Sequence, residues 1–156
     1  MLTQQKTRER GFTLIELVVV IVIIGILAAF AIPRFANVAK DARTSALRGL
    51  AGTLRSTSAL VHGLALARNA TGAAATVQLD GATSVTVTFG YPTGDAAGIT
   101  AALSSLDTST YAPSYAAGVA TYQMVGAATL AQCQVTYTAP ASSGAIGVVT
   151  VTESDC

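Results

Sequence analysis

The distal half of the chain has no lysine or arginine, because Arg68 is the last basic residue. Nucleic-acid binding depends largely on cationic side chains that neutralise phosphates, so we expect none in this half. Between Arg34 and Arg68 there are six bases and one acid, Asp41. These regions of opposite sign predict either packing between copies of the chain or two solvated surfaces. The distal acids are Asp80, Asp95, Asp107, Glu153 and Asp155.

Residues that commonly carry catalysis are also scarce. The only histidine, His62, lies between Val61 and Gly63, where a packed or surface role is more typical than that of a base. The sequence has neither a glycine-rich phosphate loop nor a cluster with metal-ligand spacing. We therefore predict a protein that is not an enzyme and has no cofactor or metal. The tyrosines allow a ligand or adhesive surface, or ordinary packing: Tyr91, Tyr111, Tyr115, Tyr122 and Tyr137.

Cysteine is limited to Cys133 and Cys156. Two cysteines permit one intramolecular disulfide, which is expected if the chain is exported to an oxidising compartment. Two free thiols are the alternative.

Charged residues make up only 11% of the chain, and one long stretch has none, from Leu17 to Ile32. As a helix, Phe12 to Ile32 is about 32 Å long, enough to cross a bilayer core. The bases before it favour a cytoplasmic N-terminus. Gly25 and Pro33 are weak points where we expect a kink or a melted turn.

A cleaved secretory signal is a competing interpretation, with Ala29-Phe30-Ala31 as the cleavage triplet. Two features oppose it: Glu16 interrupts the start of the apolar region, and apolar residues continue at helical spacing after Pro33. This amphipathic pattern predicts a helix to about Arg68, with Asn69 as a stop signal. The apolar positions are Phe35, Val38, Ala42, Ala46, Leu50, Leu54, Val61 and Leu64, with support from Leu47 and Leu60.

Glu16 is a carboxylate at the start of a membrane-directed helix, where an acid needs a partner. The apolar run holds no cation. If the chain were cut between Gly11 and Phe12, the new α-amino group would be a cation about one turn from Glu16. It could pair within its own helix or with the Glu16 of a neighbouring copy. A glutamate that merely reaches the lipid headgroups is the alternative.

The stretch from Gly11 to Glu16, GFTLIE, resembles the processing signature of type IV pilins and pseudopilins. The resemblance implies cleavage after Gly11, methylation of the Phe12 amine, and docking into a filament guided by Glu16. It also implies that the region from Gly25 to Pro33 loses helicity on assembly. The short leader resembles the type IVa class, and PRFANVAKDAR, ALRGLAGTLRSTSALVHG, GYP and CQVTY resemble pilins of mannose-sensitive haemagglutinin (MSHA) pili.

After Asn69 the apolar pattern changes to a period of two, which predicts strands. The runs 76–80 and 84–89 predict a hairpin around Asp80-Gly81. VATYQMV, QCQVTYT and IGVVTVT predict three more strands, and GITAALSSLD predicts a short helix. The expected fold is α+β: a long helix packed on an antiparallel sheet of four or five strands, with a C-terminal disulfide loop, as in type IV pilins.

The expected organisation is a cleaved leader (1–11), a filament-core helix (12–33), an amphipathic helix (34–68) and a head (69–156) with a disulfide-closed end (133–156). The implied function is that of a structural pilus subunit for adhesion, with motility as a further role. Implied partners are copies of itself, a prepilin peptidase and N-methyltransferase, inner-membrane assembly machinery and membrane lipid. The implied location is the inner membrane with a periplasmic head, then the cell-surface pilus. The alternatives are a type II secretion pseudopilin and an unprocessed, signal-anchored binding module.

Overall fold

The computed structural model describes residues 11–156, except for the side chains of residues 33–37. The predicted basic leader lies almost entirely outside the described residues. The chain forms two compact units, one ending at Ala39 and one from Lys40 to Cys156, which are considered separately.

The long helix α1 spans Leu14–Ala67. Gly25 and Pro33 both lie within α1, and the kink or melted turn expected there stays a prediction. Loss of helicity on assembly stays a prediction.

The end of α1 follows from Asn69, which has a left-handed φ of 54°. Asparagine tolerates this conformation, and it turns the chain back over the last helical carbonyls. The Asn69 N–H donates to Leu66 O at 3.2 Å, and the Ala70 N–H donates to Ala65 O at 2.8 Å. The helix end predicted near Arg68 is therefore confirmed.

In the described part of the chain, seven strands form two antiparallel sheets, where the sequence predicted one; the α+β class is confirmed. The three-stranded sheet has the order β1-β2-β3, and the four-stranded sheet the order β4-β5-β6-β7. The first comprises β1 (Ala75–Gln78), β2 (Ser84–Thr88) and β3 (Tyr91–Pro92). The second comprises β4 (Tyr111–Ala116), β5 (Val119–Met124), β6 (Gln134–Thr138) and β7 (Val148–Thr152).

The hairpin predicted around Asp80-Gly81 is confirmed, with φ of 23° at Asp80 and 72° at Gly81. The predicted helix GITAALSSLD is wrong in extent: a π-helical turn spans Ala96–Thr100, and a short 3-10 helix lies elsewhere, at Leu130–Gln132. Gly98 explains this break. It has non-helical dihedrals, and a Cβ there would lie 2.2 Å from the Thr93 carbonyl oxygen.

Both sheets pack on one helix, each against its own stretch. Leu47, Leu50, Ala51 and Leu54 form a core with the four-stranded sheet. Farther along, Val61 and Ala65 form a second core with the three-stranded sheet, around Val77, Val85 and Val87. Of the predicted apolar face, Leu47, Leu50, Leu54 and Val61 are buried and Ala46 and Leu64 partly buried. Val38, Ala42 and Leu60 are exposed, which contradicts their prediction, and the Phe35 side chain lies outside those described.

Cys133 and Cys156 form a disulfide with their Cα atoms 4.8 Å apart, which confirms the predicted pairing. They are separated by 23 positions in sequence. Closing a loop of this size stabilises a fold by roughly 3 kcal/mol in the chain-entropy model. The bond ties the end of the chain to the residue that precedes β6.

Basic side chains of α1 hold the C-terminal strand and tail. Lys40 donates to Ser154 O at 3.4 Å, Arg43 to Cys156 O at 2.8 Å and Arg55 to Val149 O at 3.3 Å. Arg48 forms a two-point ion pair with Glu153, and Arg68 donates to Gln78 O at 2.6 Å. Within the described residues, one of these bases, Arg48, thus pairs with a distal acid, and the other four donate to backbone carbonyls.

Candidate functional site

The first part of α1 is apolar on every side. Every leucine, isoleucine and valine from Leu14 to Ile32 is exposed, and so is Phe30. Among the described residues, Leu14–Ile32 is the one helical segment long and apolar enough to cross a membrane. A helix that is apolar all round is stable only when lipid or other protein covers it. Lipid or another protein chain must therefore cover this segment.

Thr13 and Glu16 together cap the start of this helix. The Glu16 Oε2 atom accepts from the Thr13 N–H at 2.8 Å and from the Thr13 hydroxyl at 2.7 Å. In return, the Glu16 N–H donates to Thr13 Oγ1 at 3.3 Å. This reciprocal arrangement is a capping box, which satisfies two of the free N–H groups at a helix start.

The capping box leaves one carboxylate oxygen available. Within residues 11–156, Glu16 Oε1 makes no hydrogen bond, and the single ion pair joins Arg48 and Glu153 elsewhere. Glu16 thus has local hydrogen bonds but no cationic partner among the described residues. It can keep its contacts with Thr13 and still accept a donor from another chain.

Gly11 and Phe12, the predicted cleavage pair, precede the helix in non-helical structure, and the Phe12 side chain is 93% exposed. Cleavage there and methylation of Phe12 stay predictions. The sequence interpretation did not identify Thr13, although the pattern T-x-x-E before an apolar run is the signature of a capping box.

His62 is packed, as the sequence predicted. Its ring stacks on Tyr91 with centroids 3.9 Å apart and an interplanar angle of 8°. His62 Nδ1 lies 2.9 Å from the Gly90 carbonyl oxygen. Because a carbonyl only accepts, Nδ1 carries the proton in this contact. The histidine joins α1 to β3.

Four of the five tyrosines have packing roles, including Tyr91 in the stack. Tyr122 and Tyr137 are fully buried, and burial raises the pKa of each to about 12. The Tyr137 hydroxyl donates to Pro92 O at 2.8 Å and so links β6 to β3. The Tyr111 hydroxyl donates to Ala46 O at 3.1 Å on α1. Tyr115 alone is substantially exposed.

Comparison with known proteins supports the N-terminal interpretation. Residues 6–32 match the model of the prokaryotic N-terminal methylation motif. The chain is 49% identical over 53 residues to the type IV narrow pilus major component PilA5 of Thermus thermophilus, covering 34% of this chain and 46% of that protein. It is 46% identical over 50 residues to a type IV major fimbrial protein FimA of Dichelobacter nodosus, covering 32% of each. No solved structure matches the chain.

The matched regions thus span less than half of PilA5 and about a third of FimA. The MSHA-like subtype has no support among these relatives. The methylation motif and the pilin relatives together show that the N-terminal third of the chain, which includes the apolar helix, is similar to type IV pilins.

Proposed function

We propose that this chain is a structural subunit of a type IV pilus and that it polymerises through the apolar part of α1. One observation carries the proposal: an exposed apolar helix, Leu14–Ile32, begins with the partly satisfied carboxylate Glu16. A structural role also fits the relatives, which are named as pilus and fimbrial components.

Before assembly, lipid covers the apolar helix; in the filament, the helices of neighbouring copies replace the lipid. In water, burying one leucine, isoleucine or valine side chain contributes about 1.5–3 kcal/mol. Exchange of lipid for protein gives a smaller gain per side chain, which comes from packing rather than from removal of water. Outside the membrane no lipid covers the apolar helices. Their burial in the filament core therefore becomes essential to the stability of the filament.

Glu16 sets the register of this packing. After cleavage between Gly11 and Phe12, the Phe12 amine of one copy pairs with Glu16 Oε1 of its neighbour, while Oε2 keeps its contacts with Thr13. A misaligned copy would bury a carboxylate and an amine without partners, which is strongly unfavourable. Apolar burial therefore supplies the affinity, and the ion pair selects the alignment.

The finer assignments belong to the same proposal. The subunit is of the type IVa class, similar to MSHA pilins, and is processed by a prepilin peptidase that also methylates Phe12. Its N-terminus is cytoplasmic and its head periplasmic until the assembly machinery adds it to a surface fibre used for attachment. Residues 12–33 form the filament core, with melting near Gly25 and Pro33, and residues 69–156 form the outer head.

The test is to shear surface fibres from cells and to analyse this chain by N-terminal sequencing and intact mass. We expect a chain in the fibres that begins at methylated Phe12. A processed chain that never appears in sheared fibres would indicate a pseudopilin instead. A chain that still begins at Met1, in cells with an active prepilin peptidase, would indicate an anchored binding module.

A further inference from the structure

A cavity of about 610 Å³ lies on the head, away from the apolar helix. It opens where the β2–β3 turn, the loop after β3, the β4–β5 turn and the segment after β6 meet. Its size is within the range of small-molecule sites. The residues that matter chemically are Phe89, Thr93, Asp95, Tyr115, Ala117 and Pro140.

Two tight hairpin turns border this cavity. Among residues 11–156, four residues other than glycine have positive φ, and two of them, Asn69 and Asp80, are types that tolerate it. The other two are Phe89 at 49° and Ala117 at 48°, and both line the cavity. Each is followed by a glycine of positive φ, Gly90 or Gly118, and each pair forms the two-residue turn of a hairpin, which requires this conformation. The two turns therefore fix the backbone on two sides of the cavity.

Asp95 supplies the only charge among the residues that line the cavity, which include no lysine, arginine or histidine. Its Oδ1 atom accepts from the Thr93 hydroxyl at 2.9 Å and from the Gly98 N–H at 2.7 Å. These bonds fix the half-buried carboxylate. In the part of the chain that the structure describes, Oδ2 makes no hydrogen bond. The cavity therefore disfavours anions and presents one fixed acceptor to a cation.

Tyr115 provides an aromatic face that is also fixed. Its side chain is 38% exposed, and its hydroxyl donates to Thr100 Oγ1 at 3.1 Å. Thr100 Oγ1 in turn lies 2.7 Å from the hydroxyl of the buried Tyr122. Phe89 adds a second ring to the lining. Aromatic faces attract ammonium groups, and a carboxylate accepts their N–H donors in strong, charge-assisted bonds.

We propose that this cavity binds a primary alkylammonium group, with its nitrogen at Asp95 Oδ2 and its alkyl chain against Tyr115 and Phe89. The source is either a free alkylamine or a lysine side chain of another protein, since both present the same chemistry. This ligand site on the head does not depend on the filament proposal.

The test is an NMR titration of the uniformly labelled full chain in a polyoxyethylene detergent, which contains neither an ammonium group nor a sugar. We expect n-butylammonium to shift the amides of Phe89, Thr93 and Gly118 saturably and to bind more weakly in high salt. Neither n-butanol nor butyrate should do so. Binding of acetyl-lysine amide with similar affinity would indicate a lysine-bearing partner, and binding of butylammonium alone a free amine.

Asp95→Asn keeps the side-chain shape and should weaken butylammonium binding about tenfold. Tyr115→Leu should weaken it about threefold. Asp80→Asn is the matched control, because it removes one head charge outside the cavity at a position whose φ suits asparagine. Three outcomes would each overturn the proposal: no saturable shift with n-butylammonium, equal binding of n-butanol or butyrate, or equal losses of affinity in Asp80→Asn and Asp95→Asn. The comparison of ligands on the unaltered chain decides the matter even if Asp95→Asn fails to fold.

Discussion

Residues 11–32 expose their large apolar side chains, whereas residues 40–156 bury most of theirs around the second part of the same helix. The first unit presents leucine, isoleucine and valine on every side of α1. The second presents one apolar face, which two sheets cover. One unit is therefore stable only with partners from outside the chain, while the other carries its own core.

Polar groups differ between the units in the same way. At the start of α1, Glu16 keeps one carboxylate oxygen without a hydrogen bond among the described residues. In the head, Lys40, Arg43, Arg48 and Arg55 all reach the last strand or the tail. The carboxylate at the start of α1 is thus available for the proposed assembly contact, whereas the basic side chains of the second unit bond within the chain. Substitutions in the two units should therefore have separable effects.

The largest expected effect is on assembly. Glu16→Gln keeps the shape of the side chain but removes the charge that, in the proposed filament, pairs with the amine of a neighbouring copy. We expect about 100-fold less of the chain in sheared fibres, because a buried amine would lack its partner. The amount in the membrane should be unchanged, since the apolar helix remains. Quantitative immunoblotting of both fractions measures this, and normal amounts of ordered fibre would contradict the mechanism.

Thr13→Val is the matched control for Glu16→Gln. It breaks the capping box, worth about 1 kcal/mol of helix stability, but retains the carboxylate. We expect fibre levels to fall much less than with Glu16→Gln. Equal losses from both variants would mean that Glu16 acts by capping the helix rather than by pairing with a neighbour.

The second prediction concerns the head. Leu54 is fully buried against the four-stranded sheet, so Leu54→Ala should lower the free energy of unfolding by about 3 kcal/mol. Leu60→Ala, on the outer side of the same helix, should change it by less than about 0.5 kcal/mol. Urea unfolding of the full chain in detergent, followed by circular dichroism, distinguishes them. A large loss of stability with Leu60→Ala would show that other residues pack on that face of the helix.

The third prediction concerns alkaline pH. Burial raises the pKa of Tyr122 and Tyr137 from 10.0 to about 12, so folding favours the protonated phenols. Their contribution is fully present below pH 10 and is lost as the pH rises toward 12. We expect urea midpoints to fall over that window. Tyr137→Phe should remove about half of this dependence, and an unchanged slope would contradict the assignment.

Much of the fold follows from local patterns in the sequence. The α1 helix, its end near Asn69 and the Asp80-Gly81 hairpin each follow from periodicity or from one residue with special backbone freedom. The strands β3 and β4 did not follow. β3 has only two residues, and β4 contains Pro113 and small residues instead of an apolar alternation. The division of the strands between two sheets depends on contacts between residues that are far apart in sequence. Hydrophobic periodicity and strand propensity do not encode such contacts.

The candidate sites were predicted to different degrees. Glu16 stood out because a charge before an apolar run is conspicuous, whereas its partner Thr13 is an ordinary residue whose role depends on spacing. The cavity around Asp95 was not predicted, since its lining comes from several segments that are far apart in sequence. The pairing of α1 bases with the tail was missed for the same reason: Arg48 and Glu153 are far apart in sequence.

The smallest expected effect comes from removal of the Arg48–Glu153 ion pair, which joins α1 to the residue after β7. Hydrogen bonding from Arg48 lowers the pKa of Glu153, so the pair stabilises the fold above the usual glutamate pKa and is lost as the pH falls. Both side chains are substantially exposed, at 65% and 33%, so water and salt weaken their attraction. Arg48→Gln should return the Glu153 pKa to its ordinary range in an NMR titration while barely moving the urea midpoint. A large midpoint shift that persists in 1 M salt, roughly a 3 Å Debye length, would show that Arg48 stabilises the tail by packing rather than by charge.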